Sequence, residues 1–376
     1  MPSLSLKVIQ LAQLHEGLGA SFGEFAGWSV PMIYTSTVEE HMAVRTSVGI
    51  FDISHMGRLR LTGDDAEELL DVVFTKKVSA TRQGFMSGPT LALTELARVI
   101  DDEMWYRVSD SEWLAVPNAA VTERMKAHLL QVASSRGLKV KLEDLTSTYA
   151  MLAIQGPRSV EVMEGMGLKE ASSLKPLQFI NNVQLGDAKA FLVSRSGWTG
   201  EDGFEVWAEP GQAERIYRRA LELGAKPVGI AARDTLRIEM GFVLGGNEYG
   251  EDPLRFPCAL SLRYGMGAID WGKSGFIGET ALRACRREGV RWVRVGLEMK
   301  KSSARFIPRG GYRLKVDDVD VGWVTSGTFS PVLQRGVGQA YIDVRYALLG
   351  ESVAVVDERG RSGEAKVEDF PLIKRK

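Results

Sequence analysis

An α+β fold closing in an all-β domain is the architecture this sequence predicts, and three features carry the prediction. Helical and strand periods follow each other along the front of the chain with no Gly/Ser linker between them. Beyond about residue 290 the helical periods stop, and short alternating stretches such as "WVRVGLEM", "VDVGWVTSG" and "VGQAYIDV" succeed one another between glycine turns, the pattern of a barrel or jelly roll. With 376 residues, 44% of them hydrophobic and 25% charged, the chain is long enough for two or three domains, each with its own core.

Taken in order, "STVEEHMAVRTSVGIFD" opens with Ser36 and Thr37 as candidate N-caps and with Glu39 and Glu40 in the first turn, which predicts a helix running into a strand. "GRLRLTG" alternates as a strand, and "DDAEELLDVVFTKKV" begins with acids that favour a helix N-terminus before an apolar stripe. "TLALTELARVIDDEMWYRVSDSEWLAVPNAA" predicts three short strands joined by turns, and "AVTERMKAHLLQVASSRG" an amphipathic helix closed by Gly137. A similar unit recurs from "TYAMLAIQGPRSVEVMEGMG" to "GQAERIYRRALELGAKPVG".

Composition narrows the function. Lysine plus arginine (47) nearly balances aspartate plus glutamate (48), so no global field favours nucleic acid or an anionic membrane surface. Cys258 and Cys285 have no metal-ligand spacing, and a pair of thiols fits a reducing compartment. The opening "MPSLSLKVIQLAQLHEGLGA" lacks an unbroken apolar core with a cleavage site, and no apolar run approaches the roughly 20 residues a bilayer needs. The expectation is a cytoplasmic protein away from membranes. Walker, GxGxxG and nucleophile-elbow motifs are missing, and His15, His41, His55 and His128 are too dispersed to suggest a metal by spacing.

What remains is a set of carboxylates and arginines in unusual settings. In "RSGWTGEDGFEVWAEP", Glu201, Asp202 and Gly203 read as a turn, while Phe204, Val206 and Ala208 alternate with Glu205 and Trp207 on the strand that follows. Glu205 then either faces water or lines a pocket. In "ARVIDDEMWYRV", Asp101 and Asp102 interrupt an apolar run; they either point to opposite faces of a strand, one of them buried, or sit exposed in a tight turn. In "GIAARDTLRIEMGFVLGG", a helix carries Arg233, Arg237 and Glu239, and the two arginines share a face, where like charges call for a nearby anion or for ordinary salt bridges.

"FAGWSVPMIY", "VRTSVGIFDISHMG", "IDDEMWYRV", "AIQGP", "SGWTGEDGFEV", "ARDTLRIEMG", "GFIGETAL" and "VTSGTFSPVL", in this order and over nearly the whole chain, resemble the T protein family of the glycine cleavage system, the tetrahydrofolate-dependent aminomethyltransferases. The resemblance implies two interleaved folate-binding α+β domains around a central channel over residues 1–285, and a C-terminal β-barrel over 286–376. It implies transfer of a one-carbon unit from an aminomethylated lipoyl arm, carried by an H protein, to tetrahydrofolate. The products are 5,10-methylenetetrahydrofolate, ammonia and the reduced arm. No metal is implied.

By the same resemblance, Asp102 is the catalytic carboxylate beside the folate nitrogens, and Glu205 accepts the paired N–H groups of the pterin edge. Met56, Val116 and Asn118 line the folate pocket, Trp198 forms an aromatic wall, and Arg233 meets the carboxylate-bearing side of folate. His55, read without the family, is a satisfied structural histidine.

The chain departs from the family pattern in several places. Trp198 replaces a tyrosine, Ala97 and Arg98 replace paired glycines, and Arg255, Phe256 and Pro257 replace a threonine-proline-x-glutamate run. "FPLIKRK" lacks an aromatic tail found in some members. These changes bear on the donor substrate more than on folate. They leave open a tetrahydrofolate-dependent demethylase of a small methylated compound, or a folate-binding protein without catalysis. Lys76 and Lys77, Lys300 and Lys301, and the terminal "KRK" are candidates to meet an acidic carrier.

Overall fold

A computed structural model describes residues 5–263 and 267–374. Met1–Leu4 and the last two residues of the "KRK" segment lie outside the described residues. The chain divides into two compact units that exchange segments along the sequence. The first comprises residues 1–71, 77–88 and 103–233, and the second residues 72–76, 89–102 and 234–376.

In the first unit the central element is a six-stranded sheet in the order Phe179–Leu185, Ala188–Ser194, Gly203–Ala208, Ala150–Gln155, Gly49–Asp52 and Lys226–Pro227. Its neighbours pair antiparallel except at the last edge, where Lys226–Pro227 runs parallel to Gly49–Asp52. The helix Pro210–Glu222 buries Ala213, Ile216, Tyr217 and Ala220, one helical stripe. This stripe joins Phe204, Val206 and Ala208 of the central strand in one core. Each large apolar side chain so buried contributes about 1.5–3 kcal/mol. The alternation of strand faces then puts Glu205 and Trp207 on the side away from that helix, and both are buried there too.

A four-stranded sheet (Lys141–Asp144, Leu59–Thr62, Glu112–Ala115, Trp105–Ser109) and a three-stranded sheet (Lys7–Val8, Trp28–Ile33, Ser21–Phe25) complete the first unit. The helix Thr37–Thr46 begins as expected, with Ser36 as N-cap accepting from the Glu39 amide at 3.2 Å, while Thr37 is its first residue. Glu40 does more than complement the helix dipole. It is buried, and its carboxylate accepts the amides of Tyr34 (2.7 Å), Thr35 (2.9 Å) and Gly229 (2.7 Å). Helix Thr122–Arg136 ends at Gly137 with φ 69°, the left-handed cap anticipated from the glycine.

The stretch from Thr90 to Ala115 corrects the expectation of three strands: it forms Thr90–Leu93, Val99–Glu103, Trp105–Ser109 and Glu112–Ala115. Apolar runs of this length do not reveal where one strand stops, and here a single residue, Met104, separates two strands belonging to different sheets. Before the acidic pair, Ala97 has φ 53°, a conformation natural to glycine that costs an alanine about 1–2 kcal/mol.

In the second unit, Trp292–Met299, Arg335–Asp343, Val319–Ser330, Arg313–Val316, Ser352–Val356 and Ser362–Glu368 close into a barrel, which leaves no free sheet edge. Inward residues follow the period of two: Val295, Leu297 and Met299; Ala340 and Ile342; Val353 and Val355; Ala365 and Val367. Among the described residues no helix is long and apolar enough to cross a membrane.

Candidate functional site

The acidic stretch sorts itself by partner. Asp202 is gripped by the guanidinium of Arg195 through a two-pronged contact (Nε to Oδ1 2.9 Å, Nη2 to Oδ2 2.5 Å), which pins the two ends of the turn. Glu201 accepts from Arg45 Nη1 at 2.8 Å. The turn is seated on Gln155, whose Nε2 donates to the Ser196 carbonyl (3.0 Å) and whose Oε1 accepts from Thr199 (2.9 Å). Glycine suits position 203, because a Cβ there would lie 2.7 Å from the Ile154 carbonyl oxygen as well as 2.3 Å from Gln155 Nε2.

Glu205 is therefore not on a solvated strand face: it is 8% exposed, and its Oε2 accepts from Ser196 Oγ at 2.6 Å, with Ser194 Oγ 2.8 Å further along. Burial raises its carboxyl above the usual range, opposed by the Ser196 hydroxyl and by the positive charge of Arg233. Arg233 is buried as well, its guanidinium 5.0 Å from the Trp198 ring centroid, and burial pulls it down to about 10 against the pull of Glu205. Among the described residues Arg233 has no ion pair, and its Nη1 has no hydrogen-bond partner. A buried donor left so costs about 1–3 kcal/mol.

Met56 and the Val116–Asn118 segment are brought together by the main chain, since the Gly57 amide donates to the Pro117 carbonyl at 2.9 Å. The approach is close enough that a Cβ on Gly57 would stand 2.6 Å from Pro117 Cγ and from Thr122 Oγ1. Met56, Val116, Asn118 and Trp198 are half-buried. The Met56 loop is clamped from both ends. Asp52 accepts the Ser54 amide (2.8 Å) and faces His15 Nε2 (2.9 Å), while the fully buried Arg58 donates to the carbonyls of Met56 (2.5 Å) and Ser54 (2.9 Å). His55, expected to be satisfied, is 2% exposed, and among the described residues its Nδ1 has no hydrogen-bond partner. Burial, with Arg233 adding to it, lowers its imidazole to about 3, so it is neutral.

The remaining carboxylate pair lies in the second unit. Asp101 is buried and Asp102 half-buried on the strand Val99–Glu103, which settles the choice between strand and exposed turn. Both nevertheless meet the same phenol: Tyr249 OH is 2.6 Å from Asp102 Oδ1 and 2.9 Å from Asp101 Oδ1. One hydroxyl proton serves one carboxylate at a time. Burial and the two acids raise Tyr249 well above its ordinary value, so it stays a donor.

Arg237, the helical neighbour of Arg233, finds its anions in Asp234 (2.7 Å) and Glu248 (3.0 Å) and also donates to Ser326 (2.8 Å). Arg255 stacks on Phe256 (4.9 Å), and both line a cavity of about 500 Å³ with Arg237, Asn247, Arg309 and Trp323. Ser196, Arg58 and Tyr249 escaped sequence reading: serine and tyrosine are common, and Tyr249 is 147 residues from Asp102.

The match to known proteins spans both parts of the chain. The family model described as the GCVT N-terminal domain matches residues 11–263, and that of the glycine cleavage T-protein C-terminal barrel domain matches residues 293–374. A probable aminomethyltransferase of Aeropyrum pernix is 66% identical over 363 residues, 96% of each chain. An aminomethyltransferase of Caldanaerobacter subterraneus subsp. tengcongensis is 36% identical over 94% of this chain and 92% of its own. The crystal structure of the glycine cleavage system aminomethyltransferase T from Bartonella henselae superposes with a TM-score of 0.88 at 30% identity, covering 99% of both chains. This chain belongs to the glycine cleavage T-protein family of aminomethyltransferases.

Proposed function

We propose that this chain takes the aminomethyl group from the reduced lipoyl arm of an H protein and passes its one-carbon unit to tetrahydrofolate, forming 5,10-methylenetetrahydrofolate and releasing ammonia. The observation that carries the reading is a pair of opposite charges, Glu205 and Arg233, both buried in the first unit and yet not joined in a salt bridge. An uncompensated buried charge is costly, and a ligand lying between the two would relieve both. Folate offers what each needs. Its pterin edge presents paired N–H donors to a carboxylate, and its glutamyl end presents carboxylates to a guanidinium.

In this reading Glu205 holds the pterin, Trp198 stacks against the ligand, and Met56, Val116 and Asn118 shape the pocket wall. Asp102 orients the folate nitrogens and stabilises positive charge as ammonia leaves, with Tyr249 holding the carboxylate in place. The division into folate-binding domains over 1–285 and a barrel over 286–376, and a cytoplasmic location, belong to the same proposal. Of the lysines offered for the carrier contact, Lys300 is already paired with Glu364 at 3.0 Å, which makes it a weaker candidate than Lys76, Lys77 or Lys301.

A calorimetric titration with tetrahydrofolate, followed by an ammonia-release assay with aminomethylated H protein, tests the proposal. Binding and release are expected. Binding without release moves the chain to one-carbon demethylation or folate binding alone, and no binding rejects the reading.

A further inference from the structure

Glu205 owes its setting to two serines. Ser194 closes the strand Ala188–Ser194 and lies directly opposite Glu205 of the strand Gly203–Ala208, so the two side chains share one face of the sheet. Ser196 stands at the head of the turn that follows, where its carbonyl accepts from Gln155 Nε2 at 3.0 Å. Arg195, between them, is tied on both sides of its main chain: its amide donates to the Gln178 carbonyl (2.9 Å) and its carbonyl accepts the Leu177 amide (2.8 Å). Both serines are buried and held in place. A hydroxyl has one proton to give. Ser196 Oγ gives its proton to Glu205 Oε2 at 2.6 Å, so across the 2.8 Å contact between the two hydroxyls it is Ser194 that donates. The row runs one way, from Ser194 through Ser196 to the carboxylate, and each donor polarises the next. Among the described residues Ser196 is the only hydrogen-bond donor to Glu205. A carboxylate has room for about four, so its other lone pairs stay available.

We propose that Ser196 is the positioning residue for ligand recognition by Glu205: its donated hydroxyl fixes the orientation of the carboxylate and keeps it an acceptor, so that the remaining lone pairs meet the paired N–H donors of the pterin edge; the proposal rests on the folate reading given above. Ser196 acts through Glu205 and takes no part in the transfer itself. Burial works against the charge on Glu205, whereas the Ser196 hydroxyl and Arg233 work for it. Among the described residues Arg233 and Tyr106 are the titratable groups that face this carboxylate, and burial together with Glu205 raises the Tyr106 phenol, which stays neutral.

Threonine keeps the hydroxyl at this position and valine is its isostere without one, so the two separate the hydrogen bond from the volume of the side chain. Wild type, S196T, S196V and S196A are titrated calorimetrically with tetrahydrofolate over the pH range in which thermal unfolding shows each to be folded. The expected result is a loss of affinity of about tenfold in S196V and S196A, with S196T within about twofold of wild type. In S196V and S196A the acid limb of the affinity profile should also move to higher pH, because the carboxyl has lost the donor that opposes its burial. Should S196V fail to fold, S196A carries the same contrast with S196T. Equal affinity in all four, a loss that S196T shares, or a loss with the acid limb unmoved overturns the proposal while leaving the folate reading intact. Absence of folate binding in wild type overturns both.

Discussion

Arg233 and Arg237 sit one helical turn apart on the helix Ile230–Met240, both are buried, and their surroundings are opposite in kind. Arg237 is held by Asp234, Glu248, Ser326 and the Phe242 carbonyl, and Asn247 donates to the same Ser326 hydroxyl at 3.0 Å. Arg233 has an aromatic ring, the field of Glu205 and, among the described residues, no hydrogen-bond partner for Nη1. A cation surrounded by its own protein's acceptors stabilises the fold, and one left short of them is poised for something else. Buried charge alone does not separate the two cases; the count of satisfied donors does.

The comparison can be sharpened from the strongest effect downward. Asp102→Asn should lower turnover by about a hundred- to ten-thousandfold, with folding and folate affinity nearly unchanged, as read by ammonia release beside calorimetry. Normal turnover would remove Asp102 from the chemistry. On the structural side, Glu248→Ala takes away a fully buried partner of Arg237 and should cost about 3–5 kcal/mol in urea unfolding. A small loss would mean that Asp234 suffices.

Glu205→Ala should weaken tetrahydrofolate binding by about 1.5–3 kcal/mol, the worth of a hydrogen bond to a charged group. An unchanged dissociation constant would return Glu205 to a structural role beside Ser196. The pH dependence follows from the direction of its shift. Burial raises the carboxyl in the folded chain, so ionising it costs stability as pH rises through the folded value, and that cost is absent below the unfolded value of about 4.3. Binding that needs the carboxylate should accordingly weaken as pH falls through the raised value, and Glu205→Gln should flatten the profile. His55, lowered to about 3, should add nothing to the profile between neutrality and mild acid.

The smallest effect concerns the two cysteines, whose spacing suggests no metal site. Cys258 is buried and packs beside Cys285, and burial together with the Cys285 thiol pushes it up to about 12. An alkylating reagent at neutral pH should label the half-buried Cys285 first and Cys258 only slowly. Equal rates, followed by mass spectrometry, would contradict this burial.

How much could be read beforehand depended on the range of the interactions involved. Ser36 as N-cap, Gly137 as left-handed stop and the alternation of Phe204, Val206 and Ala208 are settled by neighbours within a few residues, and the structure keeps them all. The strand count between Thr90 and Ala115 was misread because adjoining apolar runs carry no sign of which sheet each will join. The clamp on the Met56 loop, the serine beneath Glu205 and the tyrosine shared by Asp101 and Asp102 join residues that only folding makes neighbours.

By itself the sequence determined the α+β front, the β-rich end, the family and the acids worth watching, because period, turn chemistry and motif order are written locally. Tertiary structure alone decided that Glu205 is buried, that Arg237 is ringed by acceptors, and that among the described residues Arg233 Nη1 and His55 Nδ1 have no hydrogen-bond partner. The physical reason is that desolvation and hydrogen-bond satisfaction belong to the assembled surroundings of a side chain, and chain spacing carries no record of them.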